Sequence, residues 1–83
     1  LAIPEPRATR DTSDAGAREA VHSHPFDMAV VQVTPGRMEV LVGETRETKD
    51  YAAGDAVWLP RNVPHAVSNA GPRAFTVISV GVK

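Results

Sequence analysis

The chain contains short apolar runs, rich in valine, that are separated by turn-forming residues at fairly even intervals. These runs cover residues 28–34, 37–42, 56–59 and 74–80, and each has the length of an ordinary strand. A more polar run at residues 45–51 contains threonines and a tyrosine, which indicates an exposed strand. No segment repeats its apolar residues at the i, i+3, i+4, i+7 spacing of a helix. The pattern therefore predicts an all-β fold, either an antiparallel sandwich or a barrel.

The first residues differ in composition from the rest of the chain. Two prolines stand close together and are followed by a polar run, which is typical of irregular structure or of an edge strand. We expect residues 1–15 to form such a lead-in and residues 16–83 to form one barrel domain.

Length, cysteine content and charge exclude several kinds of site and argue against several kinds of partner. At 83 residues the chain is one small domain, and its lack of cysteine excludes disulfides and thiolate metal sites. Nine basic and ten acidic residues give a net charge of −1, which argues against nucleic acid or an anionic membrane as the main partner. No apolar run reaches the roughly 20 residues of a membrane span. We expect a cytoplasmic protein stabilised by a metal or a second subunit.

Two of the three histidines, His22 and His24, lie two positions apart in the stretch HSHPF. Residues i and i+2 of an extended segment point to the same side, so a strand over residues 20–24 brings both imidazoles together. Neutral imidazole is the commonest protein ligand of transition metals. The third histidine, His65, follows a turn between Pro60 and Pro64, and closure of a sheet is able to place it beside the pair.

The histidines belong to two motifs that resemble those of the cupin family. Cupins carry a first motif, G(X)5HXH(X)3-4E(X)6G, and a second motif, G(X)5PXG(X)2H(X)3N. The resemblance covers residues 16–69, about two-thirds of the chain. The matching positions are Gly16, His22, His24, Gly36, Gly54, Pro60, His65 and Asn69.

Two positions depart from the family pattern. Asn62 stands where glycine is usual, and asparagine also tolerates the positive φ of a turn. The glutamate position, counted back from Gly36, is Ala29, whose methyl group cannot bind a metal. The family's glutamate points inward, so we expect residues 29, 31 and 33 to face the interior and Ala29→Glu to tighten metal binding.

The resemblance implies a small antiparallel jelly-roll barrel in which His22, His24 and His65 hold one divalent transition metal: Fe, Mn, Ni, Zn or Cu. The opposing interpretation is an inherited site without a metal, its imidazoles satisfied by water or backbone. Three neutral nitrogens leave a bound ion its full +2 charge, which favours a small ligand with anionic oxygens.

Several further residues have two interpretations each. Asp27 either swings toward the metal or caps the turn after His24. Arg61 either orients a carboxylate substrate or is a solvated surface arginine. Trp58 either lines the pocket or adds core or interface area, and Met28 is predicted to pack in the core. The candidates for the pocket are therefore Ala29, Trp58, Asp27 and Arg61.

Two functions fit these features. In the first, the metal centre binds a small anionic metabolite and assists its oxidation, isomerisation or decarboxylation, with Glu39, Asp27 and Tyr51 as candidate bases. In the second, the same pocket is a non-catalytic ligand-binding or sensing module of a longer protein. The enzyme is slightly favoured. The full-length gene product distinguishes the two, since an attached DNA-binding or enzymatic segment indicates the module.

The chain is also predicted to form a homodimer. A domain of this length buries only about 60–65% of the surface that its unfolded chain exposes, and the valine-rich strands offer more apolar surface than one barrel encloses. Light scattering is expected to give the mass of a dimer. A monomer at every concentration tested would refute this prediction.

Overall fold

The computed structural model describes residues 7–82, and these form seven strands in two antiparallel sheets. The strands are β1 (Arg7–Ser13), β2 (Asp27–Gln32), β3 (Gly36–Val42), β4 (Thr45–Tyr51), β5 (Ala56–Leu59), β6 (His65–Asn69) and β7 (Phe75–Val82). One sheet has the order β1-β7-β2-β5 and the other has the order β4-β3-β6. The predicted all-β, jelly-roll architecture is confirmed. Within this part of the chain, no helix has the length and apolar character needed to cross a membrane.

The core lies between the two sheets because alternate residues of their strands point inward. Close packing constrains one of the turns: a Cβ atom at Gly36, where β3 begins, would collide with the ring of Phe75 on β7. A glycine is therefore required where the chain passes from one sheet to the other. The buried apolar cluster consists of Val30, Met38, Val40, Tyr51, Leu59, Phe75 and Val77.

Most predicted strands agree with the structure. Residues 45–51 and 56–59 form β4 and β5 with the predicted bounds. The strand predicted at residues 28–34 begins one residue earlier and ends at Gln32. It stops there because the amides of Val33 and Thr34 both donate to the carbonyl of Thr76. The last strand extends to Val82 because its final residues continue the ladder with β2.

Two local predictions are wrong. Residues 20–24 do not form a strand: His22 makes only an isolated antiparallel bridge with His65, and the carbonyl of His24 accepts a hydrogen bond from the amide of Asn62 (2.7 Å). β6 is absent from the predicted strands, because prolines precede it and its sequence, HAVSN, shows little apolar alternation.

The inward face of β2 is the opposite of the predicted one. Val30 and Gln32 are 4% and 1% exposed, whereas Ala29 pairs with Trp58, which is 55% exposed. Directly paired residues of an antiparallel ladder share a face, so Ala29 lies on the outer face of the sheet. Counting back from Gly36 fails because the bend after Gln32 interrupts the strand alternation.

The outer face that carries Trp58 is the one on which a second subunit would find exposed apolar area. Dimer formation stays a prediction.

The turn before β6 contains Asn62, whose φ of 60° is in the left-handed region. This agrees with the expectation that asparagine replaces a motif glycine there. We predict that Asn62→Ala destabilises the fold by about 1 kcal/mol, because a Cβ without a compensating side-chain hydrogen bond disfavours this region. Asn62→Gly, the matched control, is expected to remain close to wild type. Urea denaturation measures both variants, and equal stability of the alanine and glycine variants would contradict the prediction.

Candidate metal centre

The three histidines converge although they come from distant parts of the sequence. The His22 amide donates to the His65 carbonyl (3.0 Å), and the His65 amide donates back to the His22 carbonyl (2.7 Å). The imidazole centroids are 4.6 Å apart for His22 and His65, 4.8 Å for His22 and His24, and 5.2 Å for His24 and His65. One ring nitrogen from each residue lies within 4.8 Å of the others. Small side-chain rotations bring three such nitrogens onto one ion at about 2.0–2.2 Å.

The tautomer of His22 is set by a backbone contact. Its Nδ1 lies 2.8 Å from the carbonyl oxygen of Ala20, and because a carbonyl only accepts, Nδ1 carries the proton. The lone pair is then on Nε2, the arrangement found in most metal-bound histidines. The carboxylate of Glu19 lies 3.9 Å from the same Nδ1. Both contacts are made by Nδ1, and neither of them uses Nε2.

His65 is the most enclosed of the three histidines, at 2% exposed. Burial, followed by the proximity of His22, lowers the pKa of His65 below its ordinary value, which keeps the imidazole neutral at pH 7. Its Nδ1 is buried and has no hydrogen bond of good geometry among the described residues, and a contact with the Val63 backbone opposes the lowering of the pKa. A metal would give this atom a partner only by binding through it. Imidazole nitrogen suits transition metals, and one nitrogen from each of three rings converges here, so the donor set fits a transition-metal ion.

The histidines open into a cavity of about 430 Å³ between the two sheets. One part of its wall is apolar, and the part formed by β1 and the segment after it is polar. The charged residues in the wall are Asp11, Asp14, Arg18 and Glu19, and the apolar ones are Ala17, Met28, Val30, Leu59, Val67, Phe75 and Val77.

Asp27 and Arg61 lie together, beside the centre rather than in the cavity wall. Asp27 Oδ1 accepts a hydrogen bond from the Arg61 backbone amide (2.9 Å), and its Oδ2 lies 3.3 Å from Arg61 Nη2. These contacts lower the pKa of Asp27. Asp27 therefore fixes the turn that leads to His65. The sequence predicted a turn-capping role, but for the turn after His24, whereas the capped turn is the one between β5 and β6.

The remaining pocket and base candidates do not line the cavity. Ala29 and Trp58 are on the outer face of the sheet, as described above. Glu39 lies 3.7 Å from Arg18 and 3.5 Å from Arg46, and Tyr51 is part of the buried core.

Among the lining residues described here, sequence reasoning placed only the three histidines at the site; Glu19 was not considered, and Met28 was assigned to the core. Glu19 lies in the five-residue spacer between Gly16 and His22, where the family motif assigns no residue type. Its Oε1 accepts the Val67 amide (3.0 Å) and its own amide donates to Ser68 Oγ (3.2 Å). Met28 is reached by counting three intervening residues forward from His24, which the motif spacing also allows.

Comparison with known proteins gives a consistent result. A family model described as a cupin domain matches residues 10–81. None of the curated proteins matches the sequence.

Several solved structures share the fold. A conserved protein of unknown function from Streptococcus pyogenes has a TM-score of 0.77 and 28% identity, with 100% of this chain and 68% of that chain covered. The Cnp3 cupin domain of Schizosaccharomyces pombe has a TM-score of 0.82 and 21% identity, with 100% and 56% covered. The DMSP lyase DddQ of Ruegeria pomeroyi has a TM-score of 0.78 and 24% identity, with 94% and 38% covered. The last two comparisons show the fold alone.

We predict that Asp27→Asn lowers both the melting temperature and the affinity for Co(II), because the turn that positions His65 loses its charged acceptor. The control is Asp50→Asn, which breaks another Asp–Arg pair, that with Arg37, on the exposed surface. Since the pKa of Asp27 is lowered in the folded state, its contribution is present above the ordinary pKa of about 3.9 and is lost as the pH falls below it. Thermal melts and Co(II) titrations at pH 7 test the pair, and equal effects of the two variants would contradict a positioning role.

Proposed function

This chain belongs to the cupin family, and we propose that it is a small metalloenzyme with one divalent transition metal on His22, His24 and His65. The observation that supports this most directly is the convergence of three imidazoles at the wall of a cavity of about 430 Å³. A cavity of this size suits a small metabolite. The proposed reaction classes are oxidation, isomerisation and decarboxylation. The cytoplasmic location and the absence of nucleic-acid and membrane partners stay predictions.

A metal in this site would act as a Lewis acid toward a bound oxygen. The chain itself prepares the site in two ways. The bond from His22 Nδ1 to the Ala20 carbonyl holds one imidazole in the metal-binding tautomer. Burial keeps His65 neutral by lowering its pKa, so that ligand does not need to lose a proton at pH 7.

The charges of the wall refine the expected ligand. Three acidic residues, Asp11, Asp14 and Glu19, and one arginine, Arg18, line the cavity, and the Arg18 guanidinium is paired with Glu39. A ligand with several negative charges would be repelled by this wall, although three neutral imidazoles favour an anionic oxygen at the metal. We therefore propose a ligand with one anionic oxygen group and a neutral or cationic remainder.

Glu19 is the proposed proton acceptor. It replaces the three bases expected from the sequence, because it is in the wall of the cavity and they are not. The Val67 amide holds its Oε1 in place (3.0 Å), so the carboxylate is oriented by β6, the strand that carries His65.

A non-catalytic binding or sensing module is the second candidate. Its support is that Glu19 Oε1 already accepts the Val67 amide, so this oxygen is engaged in holding the segment against β6. The fold does not decide between them, since it is shared with an enzyme, a DMSP lyase, and with a domain of Cnp3.

We predict that one equivalent of Zn(II) or Co(II) raises the melting temperature and that chelator reverses this rise. Selective binding to the folded state at a free metal concentration of 100 Kd stabilises it by about 2.7 kcal/mol. His65→Ala is expected to abolish most of the rise. The melting temperature of His65→Ala without metal shows how much stability is lost with the side chain itself, and the effect of metal is measured from that value. A wild-type melt that is indifferent to metal and chelator would contradict the metal centre.

A second measurement separates the enzyme from the module. NMR spectra of small carboxylates and amino acids are followed over time with the metal-loaded protein and with Glu19→Gln. Turnover that is lost in Glu19→Gln supports the enzyme. Line broadening without turnover in both proteins supports the binding module and contradicts catalysis.

A further inference from the structure

We propose that the thioether of Met28 is a fourth ligand of the three-histidine centre and makes it selective for Cu(I). This inference rests on the three-histidine centre proposed above and changes its preferred ion from a divalent metal to Cu(I). It also departs from the interpretation of Met28 as core alone.

The position of Met28 follows from the register of β2. Met28 pairs with Leu59 on one neighbouring strand and with Gly81 on the other. Leu59 is 1% exposed, so the face that they share points into the barrel. Met28 lines the same cavity as His22, His24 and His65, and its strand begins three residues after His24.

An aromatic ring, that of Phe26, lies beside the position of Met28 in the sheet. Gly81, the partner of Met28, has no side chain, and the ring of Phe26 fills that space: a Cβ at Gly81 would lie 2.8 Å from Phe26 Cε2. Phe26 also stacks on His24, with 5.0 Å between centroids and an interplanar angle of 20°. Phe26 therefore lies close both to Gly81, the strand partner of Met28, and to His24, one of the candidate ligands.

None of the carboxylates of the cavity is on β2. Asp11 is on β1, and Asp14 follows that strand. Glu19 precedes His22, and its Oε1 accepts the Val67 amide (3.0 Å) and lies 3.9 Å from His22 Nδ1. β1 is separated from β2 by β7 in the sheet order. The donor that the chain offers on β2 is consequently a neutral sulfur rather than an oxygen anion.

This donor set favours a soft ion of low charge. Thioether sulfur selects Cu(I), and imidazole also suits copper, whereas carboxylate and carbonyl oxygen suit Mn and Mg. Four neutral ligands leave Cu(I) with a net charge of +1, and a smaller charge costs less than +2 beside an apolar wall. Met28 thus turns a centre that accepts many divalent ions into one that ranks Cu(I) first.

The competing explanation is that Met28 only fills space, since it packs against the buried cluster. Met28→Leu separates the two explanations because leucine retains similar volume and apolar character but lacks sulfur. The matched control is Met38→Leu, at the only other methionine, which is 1% exposed in the core.

The experiment measures Cu(I) affinity anaerobically by competition with bathocuproine disulfonate, and Zn(II) affinity with a chromophoric indicator. Met28→Leu is expected to weaken Cu(I) binding by about tenfold or more, a change of about 1.4 kcal/mol, and to leave Zn(II) binding nearly unchanged. Met38→Leu is expected to change neither affinity. With 13C-methyl methionine, Cu(I) should shift the Met28 signal and leave that of Met38 in place.

A second pair of variants tests the same inference in the opposite direction. Met28→Glu should weaken Cu(I) binding and strengthen Mn(II) binding, because it replaces a soft neutral donor by a hard anion. Ala29→Glu, on the outer face, should change neither and serves as its control.

Unchanged Cu(I) affinity in Met28→Leu, or equal losses of Cu(I) and Zn(II), would overturn the proposal. Failure of the wild type to bind Cu(I), Zn(II) and Co(II) would overturn the three-histidine centre itself, which is a different result.

Discussion

The pair of backbone hydrogen bonds between His22 and His65 is the contact on which the site depends. It ties the irregular segment before β2 to the start of β6. Two more hydrogen bonds hold the same segment along β6. The Val67 amide donates to the Glu19 carboxylate, and the Asn69 amide donates to the Ala17 carbonyl (2.9 Å). These contacts give an otherwise irregular stretch a defined path. Two histidines are thereby held beside a third that lies about forty positions away in the sequence.

Holding the three histidines together buries the polar imidazole of His65. His65 is 2% exposed, and its Nδ1 is without a partner in the described part of the chain. Burial of this ring lowers its pKa, and its position beside two further imidazoles is the arrangement that suits a bound ion. Asp27 adds rigidity from outside by holding the turn that delivers His65. The contacts described here therefore either position the imidazoles or influence their protonation.

Most of the strands, the fold and the grouping of three histidines could be predicted from the sequence because these leave periodic or spaced signals. Valine-rich runs mark strands, and the motif spacing marks the candidate ligands. The inward face of β2 could not be obtained in the same way. Counting back from Gly36 selects Ala29, whereas counting forward from His24 allows either Met28 or Ala29, and only the ladder with β5 and β7 shows which of them faces inward. One residue of error reverses the face of every side chain in a strand.

Contacts between distant residues were also beyond the sequence. Asp27 and Arg61 are 34 positions apart, and neither residue type nor spacing indicates that they pair. Glu19 lies in a spacer without a characteristic residue, and its role appears only when β6 is placed beside it. β6 itself shows little alternation, because it contains the buried polar residues His65, Ser68 and Asn69. These features depend on tertiary packing, so only the folded structure shows them.

The central claim is that three imidazoles from two separate segments bind one ion. Long-range 1H–15N correlation spectra of the imidazole nitrogens, recorded during a titration with Zn(II), test it most directly. We expect one nitrogen of each histidine, Nε2 in the case of His22, to shift together with the others, and all three to saturate at one equivalent. Shifts in fewer than three histidines, or saturation at different metal ratios, would contradict it.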